Sequence, residues 1–365
     1  MNITAYQILL AEIALKRPYI LSFGTVDKIY PVIFHLSLED GCIGIAEAVA
    51  LPGYSHETTE SIIADLRRVL PNILKMNTED LESYLTDNIP HSPFTISAIL
   101  TATEFAEQKF SFGGRFNIPL VAPISAGINP REILINALEL HKHGYRTIKL
   151  KVGRNIEHDC ACISILLNEM PDDVRIRIDA NQAYSFSQAC LFLKALQHRK
   201  SCLVECFEQP FGIYAWQQFQ DFAKHSQKVV PLMLDESIVA EGDIEKAAEV
   251  GADLIKLKLC KHRGIKGLIS LAKKAKKIGL EVIIGNGVAT EIGNIAEAVA
   301  FQQENLFAGA FEGNGFAKLS KHILLDVPKE VYGKFTWERW LHLSEVLKIN
   351  KDYVRVIQSA GKTCY

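Results

Sequence analysis

Short apolar runs typical of strands recur along residues 115–320, separated by segments with helical periodicity. The last residues of these runs are 23 to 29 positions apart: Ser125, Lys151, Asp179, Glu208, Asp235, Lys258, Gly285 and Glu312. Eight such runs are typical of a (β/α)8 TIM barrel, whereas a doubly wound open sheet has five or six strands and usually a glycine-rich first turn. The sequence therefore predicts an α/β protein built on a barrel.

Two flanking regions lack this repeat. Residues 1–50 show the partial alternation of strands, and residues 56–110 change to helical spacing, with Ile62, Leu66 and Val69 among the recurring apolar positions. We therefore place an N-terminal α+β domain in residues 1–114 and the barrel in residues 115–320. We expect residues 321–365 to return to the N-terminal domain and pack on it.

The overall charge narrows the range of functions. The 365 residues include 40 Lys and Arg against 42 Asp and Glu, which gives a net charge of -2. Because a basic excess is absent, we expect no binding to nucleic acid or to membranes. The first residues lack the basic region and uninterrupted apolar stretch of a signal peptide, so we expect a cytoplasmic protein. We also expect a homo-oligomer that acts on a small-molecule carboxylate.

Acidic residues end three successive barrel runs. Asp179, Glu208 and Asp235 end the third, fourth and fifth runs, at the edge where barrel enzymes place their chemistry. Three converging carboxylates would repel one another unless a hard divalent cation lay among them. Oxygen ligands with open coordination positions suit Mg²⁺ together with a substrate carboxylate. The sequence therefore predicts one Mg²⁺ per subunit at this edge.

Lysines end the runs on either side of these acids. Lys149 and Lys151 lie in the second run, and Lys256 and Lys258 lie in the sixth. Lysines flanking a metal site can remove a proton α to a carboxylate, while the metal and the other cations stabilise the enediolate that forms. We expect burial and the neighbouring ammonium groups to lower the pKa of the lysine bases.

Five segments in barrel order resemble the muconate-lactonising branch of the enolase superfamily: Thr-Ile-Lys149-Leu-Lys151-Val-Gly, Ile-Asp179-Ala-Asn181-Gln, Glu208-Gln-Pro, Asp235-Glu-Ser and Ile-Lys256-Leu-Lys258. The resemblance implies a modified barrel with an N-terminal α+β capping domain. It implies these roles: Asp179, Glu208 and Asp235 as metal ligands, Lys151 and Lys258 as the acid/base pair, and Lys149 and Asn181 in support. It also implies that two capping-domain loops close over the substrate, with Ser22, Phe23 and Tyr54 as substrate-binding residues.

Some positions depart from the family pattern. Lys256, which we place in a supporting role, stands where the family usually has a neutral residue, and Ala289 stands where the branch commonly has a glutamate. Dipeptide epimerases of the family carry an Asp-x-Asp pair in the eighth run that captures the substrate ammonium. The matching substrate-binding positions here are Glu312 and Asn314. Both a dipeptide and an N-acylated amino acid therefore stay open as substrates.

The first functional hypothesis is a Mg²⁺-dependent racemase or epimerase acting α to a carboxylate through an enediolate, because two opposed lysines suit a 1,1-proton transfer. The alternative is a lyase of the same branch, an o-succinylbenzoate synthase or a muconate-type cycloisomerase, which shares this chemistry. A Schiff-base aldolase using Lys258 leaves the three carboxylates unexplained. The remaining hypothesis is a binding protein on a catalytically inactive barrel.

Overall fold

The computed structural model describes residues 1–21, 24–50, 55–110, 116–124, 129–197, 200–226, 229–303, 305–337 and 348–361. The N-terminal strands are β1 (Ile3–Ala11), β2 (Ile13–Leu21), β3 (Gly24–Ile29), β4 (Val32–Leu38) and β5 (Ile43–Ala48). The helices after them are α1 (Thr59–Ile73), α2 (Leu81–Asn88) and α3 (Pro93–Ala106). Strands β1, β4 and β5 pair antiparallel in that order, and β2 pairs with β3 in a separate hairpin.

Helix α3 packs against the N-terminal sheet. A Cβ atom at Gly44 in β5 would lie 1.7 Å from the carbonyl oxygen of Ala102 in α3, so glycine is required for this close approach. Helix α1 begins with a capping box between Thr58 and Ser61 and buries a stripe that includes Leu66. These contacts give the domain an apolar core of its own between the sheet and its helices.

The described strands of the barrel are all parallel. They are β7 (Val121–Ile124), β8 (Thr147–Lys151), β9 (Arg175–Asp179), β10 (Val204–Glu208), β11 (Leu232–Leu234), β12 (Leu254–Leu257) and β13 (Glu281–Ile284), side by side in chain order. The intervening helices are α4 (Pro130–Lys142), α5 (Ile156–Glu169), α6 (Phe186–Leu196), α7 (Trp216–Ser226), α8 (Gly242–Glu249), α9 (Gly264–Lys277) and α10 (Glu291–Phe301). The expected modified α/β barrel with an N-terminal α+β domain is confirmed.

Two predicted strands differ in detail. The fourth run ends at Glu208 as expected, but its first apolar residues belong to a short 3-10 helix, Ser201–Leu203, that precedes β10. The eighth run, residues 308–312, does not form a regular strand. Instead Ala308 N–H donates to the carbonyl of Val282 in β13, and Phe311 exchanges backbone hydrogen bonds with the segment Pro119–Val121. This run thus connects β13 to β7 through isolated bonds.

After the eighth run, the described residues form one short α-helix and three strands. These are α11 (Gly315–Lys318), β14 (Lys329–Val331), β15 (Lys334–Trp337) and β16 (Val354–Ala360). Strands β14 and β15 form an antiparallel sheet with β6 (Phe116–Pro119), while β16 pairs antiparallel with β1. The C-terminal segment therefore contacts both β6, which precedes the first barrel strand, and the N-terminal sheet.

Two glutamates of the N-terminal domain, the half-buried Glu47 and the buried Glu104, bind the first turns of barrel helices. Glu104 in α3 accepts hydrogen bonds from the backbone N–H groups of Ile265 (2.7 Å) and Lys266 (3.0 Å) in α9. Glu47 in β5 accepts from the backbone N–H of Thr290 (2.7 Å) and from its hydroxyl (2.6 Å) at the start of α10. Carboxylates suit helix N-termini because unpaired N–H groups and the helix dipole favour negative charge there.

A cavity of about 40 Å³ lies where the two domains meet. Its walls include Glu47 and Ser97 from the N-terminal domain, and Cys260, Ala289 and Glu297 from the barrel. Cys260 lies three residues beyond Leu257, the last residue of β12, so the cavity borders the strand ends. None of the helices in the described ranges has the length and hydropathy needed to cross a membrane.

Candidate active site

The three predicted acidic residues are neighbours at one edge of the barrel. Asp179 ends β9, Glu208 ends β10, and Asp235 directly follows β11. The parallel register places Asp179 beside Glu208 and also beside Lys151 of β8. All three carboxylates are buried. The strand period thus brings these acids together as the sequence predicts.

Lys149 lies between two of these acids. Its Nζ atom is 2.9 Å from Oδ2 of Asp179 and 3.0 Å from Oε2 of Glu208. Burial alone would lower the pKa of Lys149, but the charges of Asp179 and Glu208, followed by Glu312, raise it well above its usual range. Lys149 is therefore a fixed cation rather than a base.

Lys256 contacts the other side of Glu208. Its Nζ atom is 2.5 Å from Oε1 of Glu208, 2.9 Å from Oε1 of Glu312 and 3.9 Å from Oδ2 of Asp235. The side chain is completely buried. Lys256 therefore connects Glu208 and Asp235 to Glu312 in the eighth run, residues 308–312, which we call the closing run.

Lys151 ends β8 and Lys258 directly follows β12, so the predicted acid/base lysines flank the strands that carry the acids. Lys151 Nζ is 2.7 Å from Oδ1 of Asn181 and 3.4 Å from Oδ2 of Asp179. Lys258 Nζ is 2.6 Å from Oδ1 of Asp235. Because β8 and β12 border the group formed by β9, β10 and β11, the two lysines approach the carboxylates from opposite ends.

The backbone conformation at position 181 favours an asparagine. Its φ angle is 42°, in the left-handed region that asparagine tolerates better than most residues. Its backbone N–H donates to Oδ1 of Asp179 (3.0 Å), and its side-chain amide donates to Oε1 of Glu236 (3.1 Å). Asn181 therefore links Lys151 to the loop that follows β11.

The acids differ in how readily they ionise. Burial, and then the charge of Asp179, raise the pKa of Glu208 to about 7. Burial opposes ionisation of Asp235 as well, but Lys258 and Lys256 outweigh it and hold its pKa at about 2. Lys149 and Lys151 similarly hold the pKa of Asp179 far below its ordinary value. The site therefore combines two carboxylates that ionise readily, Asp179 and Asp235, with one, Glu208, whose ionisation costs free energy.

The chemistry of the donors fits a hard divalent cation. They are three buried carboxylates on adjacent strand ends, and a cation beside Glu208 would offset the repulsion that raises its pKa. In the described ranges, no group of three His, Cys, Asp or Glu side chains is arranged as a metal site. Ammonium groups lie against the carboxylates instead.

Glu312 and Asn314 are both placed at the closing run. Glu312 Oε1 is 2.5 Å from Nη1 of Arg177, and Asn314 donates its side-chain amide to the carbonyl of Val121 (3.2 Å). The remaining predicted substrate-binding residues, Ser22, Phe23 and Tyr54, lie outside the described residues.

Sequence reasoning missed three residues of the site. Arg177 is buried in β9 two positions before Asp179, so strand alternation already placed both on one face. Glu236 follows a predicted ligand directly. Buried Gln209 has a φ of 41°, accepts the backbone N–H of Asp235 (2.9 Å) and donates to the hydroxyl of Ser237 (2.7 Å). Gln209 therefore fixes the loop that carries Asp235.

Residues 132–361 match the family model described as "Enolase C-terminal domain-like". The chain belongs to the enolase superfamily. It is similar to the N-succinyl-L-Arg/Lys racemase of Bacillus cereus, with 26% identity over 90% of this chain and 92% of the relative. It is also similar to the L-Ala-D/L-Glu epimerase of Clostridium acetobutylicum, with 27% identity over 75% of this chain and 79% of the relative.

A solved structure extends the match to the whole fold. An enolase-superfamily member from Roseovarius nubinhibens, complexed with magnesium, superposes with a TM-score of 0.83 at 19% identity over 99% of this chain and 100% of its own. The curated relatives are isomerases by name, which confirms the class of enzyme predicted from the strand ends. The predicted resemblance to this superfamily is likewise confirmed.

Proposed function

We propose that this chain is a Mg²⁺-dependent racemase or epimerase that moves the proton α to a carboxylate. The observation that carries the proposal is the placement of Lys151 and Lys258 at the ends of two strands that flank three buried carboxylates. A substrate held between the lysines presents one face of its α-carbon to each. One neutral lysine removes the proton, and the other, protonated, returns a proton to the opposite face.

Asp179, Glu208 and Asp235 would hold the metal. When bound, Mg²⁺ supplies a Lewis acid that stabilises the negative charge developing on the substrate carboxylate. The racemase and epimerase names of the relatives and the magnesium in the Roseovarius structure support this proposal. These relatives also make an amino acid derivative the first class of substrate to test.

The protein contributes a separate orienting contact to each base. Asn181 Oδ1 accepts from Lys151, and Asp235 accepts from Lys258, so each ammonium group is directed toward the carboxylates. Lys149 stays charged beside Asp179 and Glu208 and adds fixed positive charge to the site. Preorganised cations of this kind stabilise an anionic transition state without needing to reorient.

Deuterium exchange tests the proposal. Wild-type protein in D₂O is incubated with pooled dipeptides and N-acyl amino acids, and deuterium at the α-carbon is followed by mass spectrometry. We expect exchange that stops with EDTA and returns with Mg²⁺, accompanied by inversion of configuration. Exchange without inversion, or with loss of a leaving group, would favour the lyase alternative. Absence of exchange in every pool, with Mg²⁺ binding demonstrated by calorimetry, would contradict the proposal.

A further inference from the structure

Glu312, at the end of the eighth run, is surrounded by cations that come from the barrel strands β8, β9 and β12. Its Oε1 atom is 2.5 Å from Nη1 of Arg177, 2.9 Å from Nζ of Lys256 and 3.5 Å from Nζ of Lys149. Its side chain is 11% exposed. A carboxylate surrounded in this way already has its counter-charges within the protein.

The cations around Glu312 are themselves fixed. Arg177 is buried, and its Nε donates to Oε2 of Glu205 (3.0 Å) while its Nη2 donates to the carbonyl of Ala310 (3.4 Å). The rigid guanidinium fork therefore spans two acids. Lys256 is equally buried and bonds Glu208 as well as Glu312. Each cation thus bonds a second acid besides Glu312, Glu205 for Arg177 and Glu208 for Lys256.

Position 314, two residues beyond Glu312, carries no second carboxylate that could bind a substrate ammonium. Asn314 is neutral, and its amide nitrogen donates to the backbone carbonyl of Val121. A substrate ammonium entering beside Glu312 would have to compete with the cations Arg177, Lys256 and Lys149 for this carboxylate. Like charges at these distances in a buried site strongly disfavour binding.

We propose that Lys256 is a specificity-determining residue: with Arg177 it withdraws Glu312 from the pocket, so the enzyme accepts carboxylates whose amino group is acylated and rejects those with a free α-ammonium. This inference rests on the proton transfer proposed above and narrows its substrate class. The lysine produces selectivity through repulsion as well as by occupying the acid.

Matched ligand pairs isolate the effect of the ammonium group. An N-propanoyl-L-amino acid and the corresponding L-alanyl dipeptide differ only by that group, and the pair is made for acidic, basic and apolar C-terminal residues. Binding is measured by calorimetry in saturating Mg²⁺, and α-proton exchange is measured in D₂O. We expect wild-type protein to favour the propanoyl member by at least about tenfold in both measurements.

Variants assign this preference to Lys256. Lys256→Met should lower the ratio about tenfold or more, and adding Glu312→Gln should restore it, because the released carboxylate is then gone. The exposed Lys277→Met is the matched control and should leave the ratio unchanged. Lys256→Gln, which keeps a donor for Glu208, replaces the methionine variant if that variant does not fold.

The possible results separate this inference from the proposed function. A wild-type preference for the alanyl members, or an unchanged ratio in the Lys256 variants, would overturn the inference while exchange still supported proton transfer. Selective binding of propanoyl members without exchange would support the specificity and contradict the proton transfer. Failure of every pair to bind would overturn both.

Discussion

Replacing Glu297 by glutamine should change how stability depends on pH. Glu297 in α10 is 3% exposed and accepts one hydrogen bond, from the side-chain amide of Asn294 (3.0 Å). It lines the cavity between the domains together with Glu47. Burial first, and then the repulsion of Glu47, raise the pKa of Glu297 from 4.5 to about 8.

The sign of the effect follows from this raised pKa. The folded protein holds the proton more tightly than the unfolded chain, so the stability that Glu297 contributes is complete below pH 4.5 and falls as pH rises toward 8. Between pH 5 and pH 9 this loss amounts to at most about 4 kcal/mol. Glutamine is uncharged throughout, so Glu297→Gln should gain stability relative to wild type across that interval.

Chemical denaturation at pH 5 and pH 9 gives the free energies of unfolding of wild type and Glu297→Gln. The exposed Glu79→Gln controls for the general effect of removing a carboxylate. We expect the difference between Glu297→Gln and wild type to become more favourable by roughly 2–4 kcal/mol at the higher pH. A difference that stays constant to within about 1 kcal/mol would refute the assignment of a costly buried charge to Glu297.

Three further predictions test the structure around the site. Arg177→Met leaves Glu205 and Glu312 without their shared cation and should lower the free energy of unfolding by about 3–5 kcal/mol, and a loss below about 1 kcal/mol in chemical denaturation would contradict the pairing. Glu104→Gln weakens the carboxylate contact with α9 and should cost about 2–3 kcal/mol, with faster amide hydrogen exchange at Ile265; unchanged exchange there would disprove this anchoring role. Asp179→Asn should weaken Mg²⁺ binding about a hundredfold in calorimetry, while the exposed Asp172→Asn should not, and equal affinities would exclude Asp179 as a ligand.

The strand ends of the barrel could be predicted because periodicity and alternation are local properties of the sequence. Residues Thr147–Lys151 and Arg175–Asp179 form strands with the predicted bounds, and their terminal side chains meet as parallel register requires. The run at 308–312 follows the same spacing as the strands, but it forms isolated backbone hydrogen bonds instead of a regular strand. Its hydrogen bonding depends on β13 and β7, which are distant in sequence.

The ion pairs of the site could not be predicted from periodicity and alternation. Spacing places Lys256 at the barrel mouth, but its contact with Glu312 depends on how the closing run approaches the sheet. The anchoring roles of Glu47 and Glu104 similarly arise from domain packing, since the helix N-termini that they bind lie more than 150 residues away in the chain. Such contacts have no local sequence pattern.

The central claim is that Lys151 and Lys258 act on opposite faces of one α-carbon. The most direct test follows α-deuterium incorporation and inversion for both enantiomers of an accepted substrate, in wild type, Lys151→Met, Lys258→Met and the exposed control Lys277→Met. We expect each active-site variant to lose racemisation by about a thousandfold or more, since a general acid–base residue contributes ~10²–10⁴-fold. Each should retain exchange with one enantiomer only, and the retained enantiomer should differ between the two variants. Racemisation within tenfold of wild type in either variant, or exchange of the same enantiomer by both, would contradict the account.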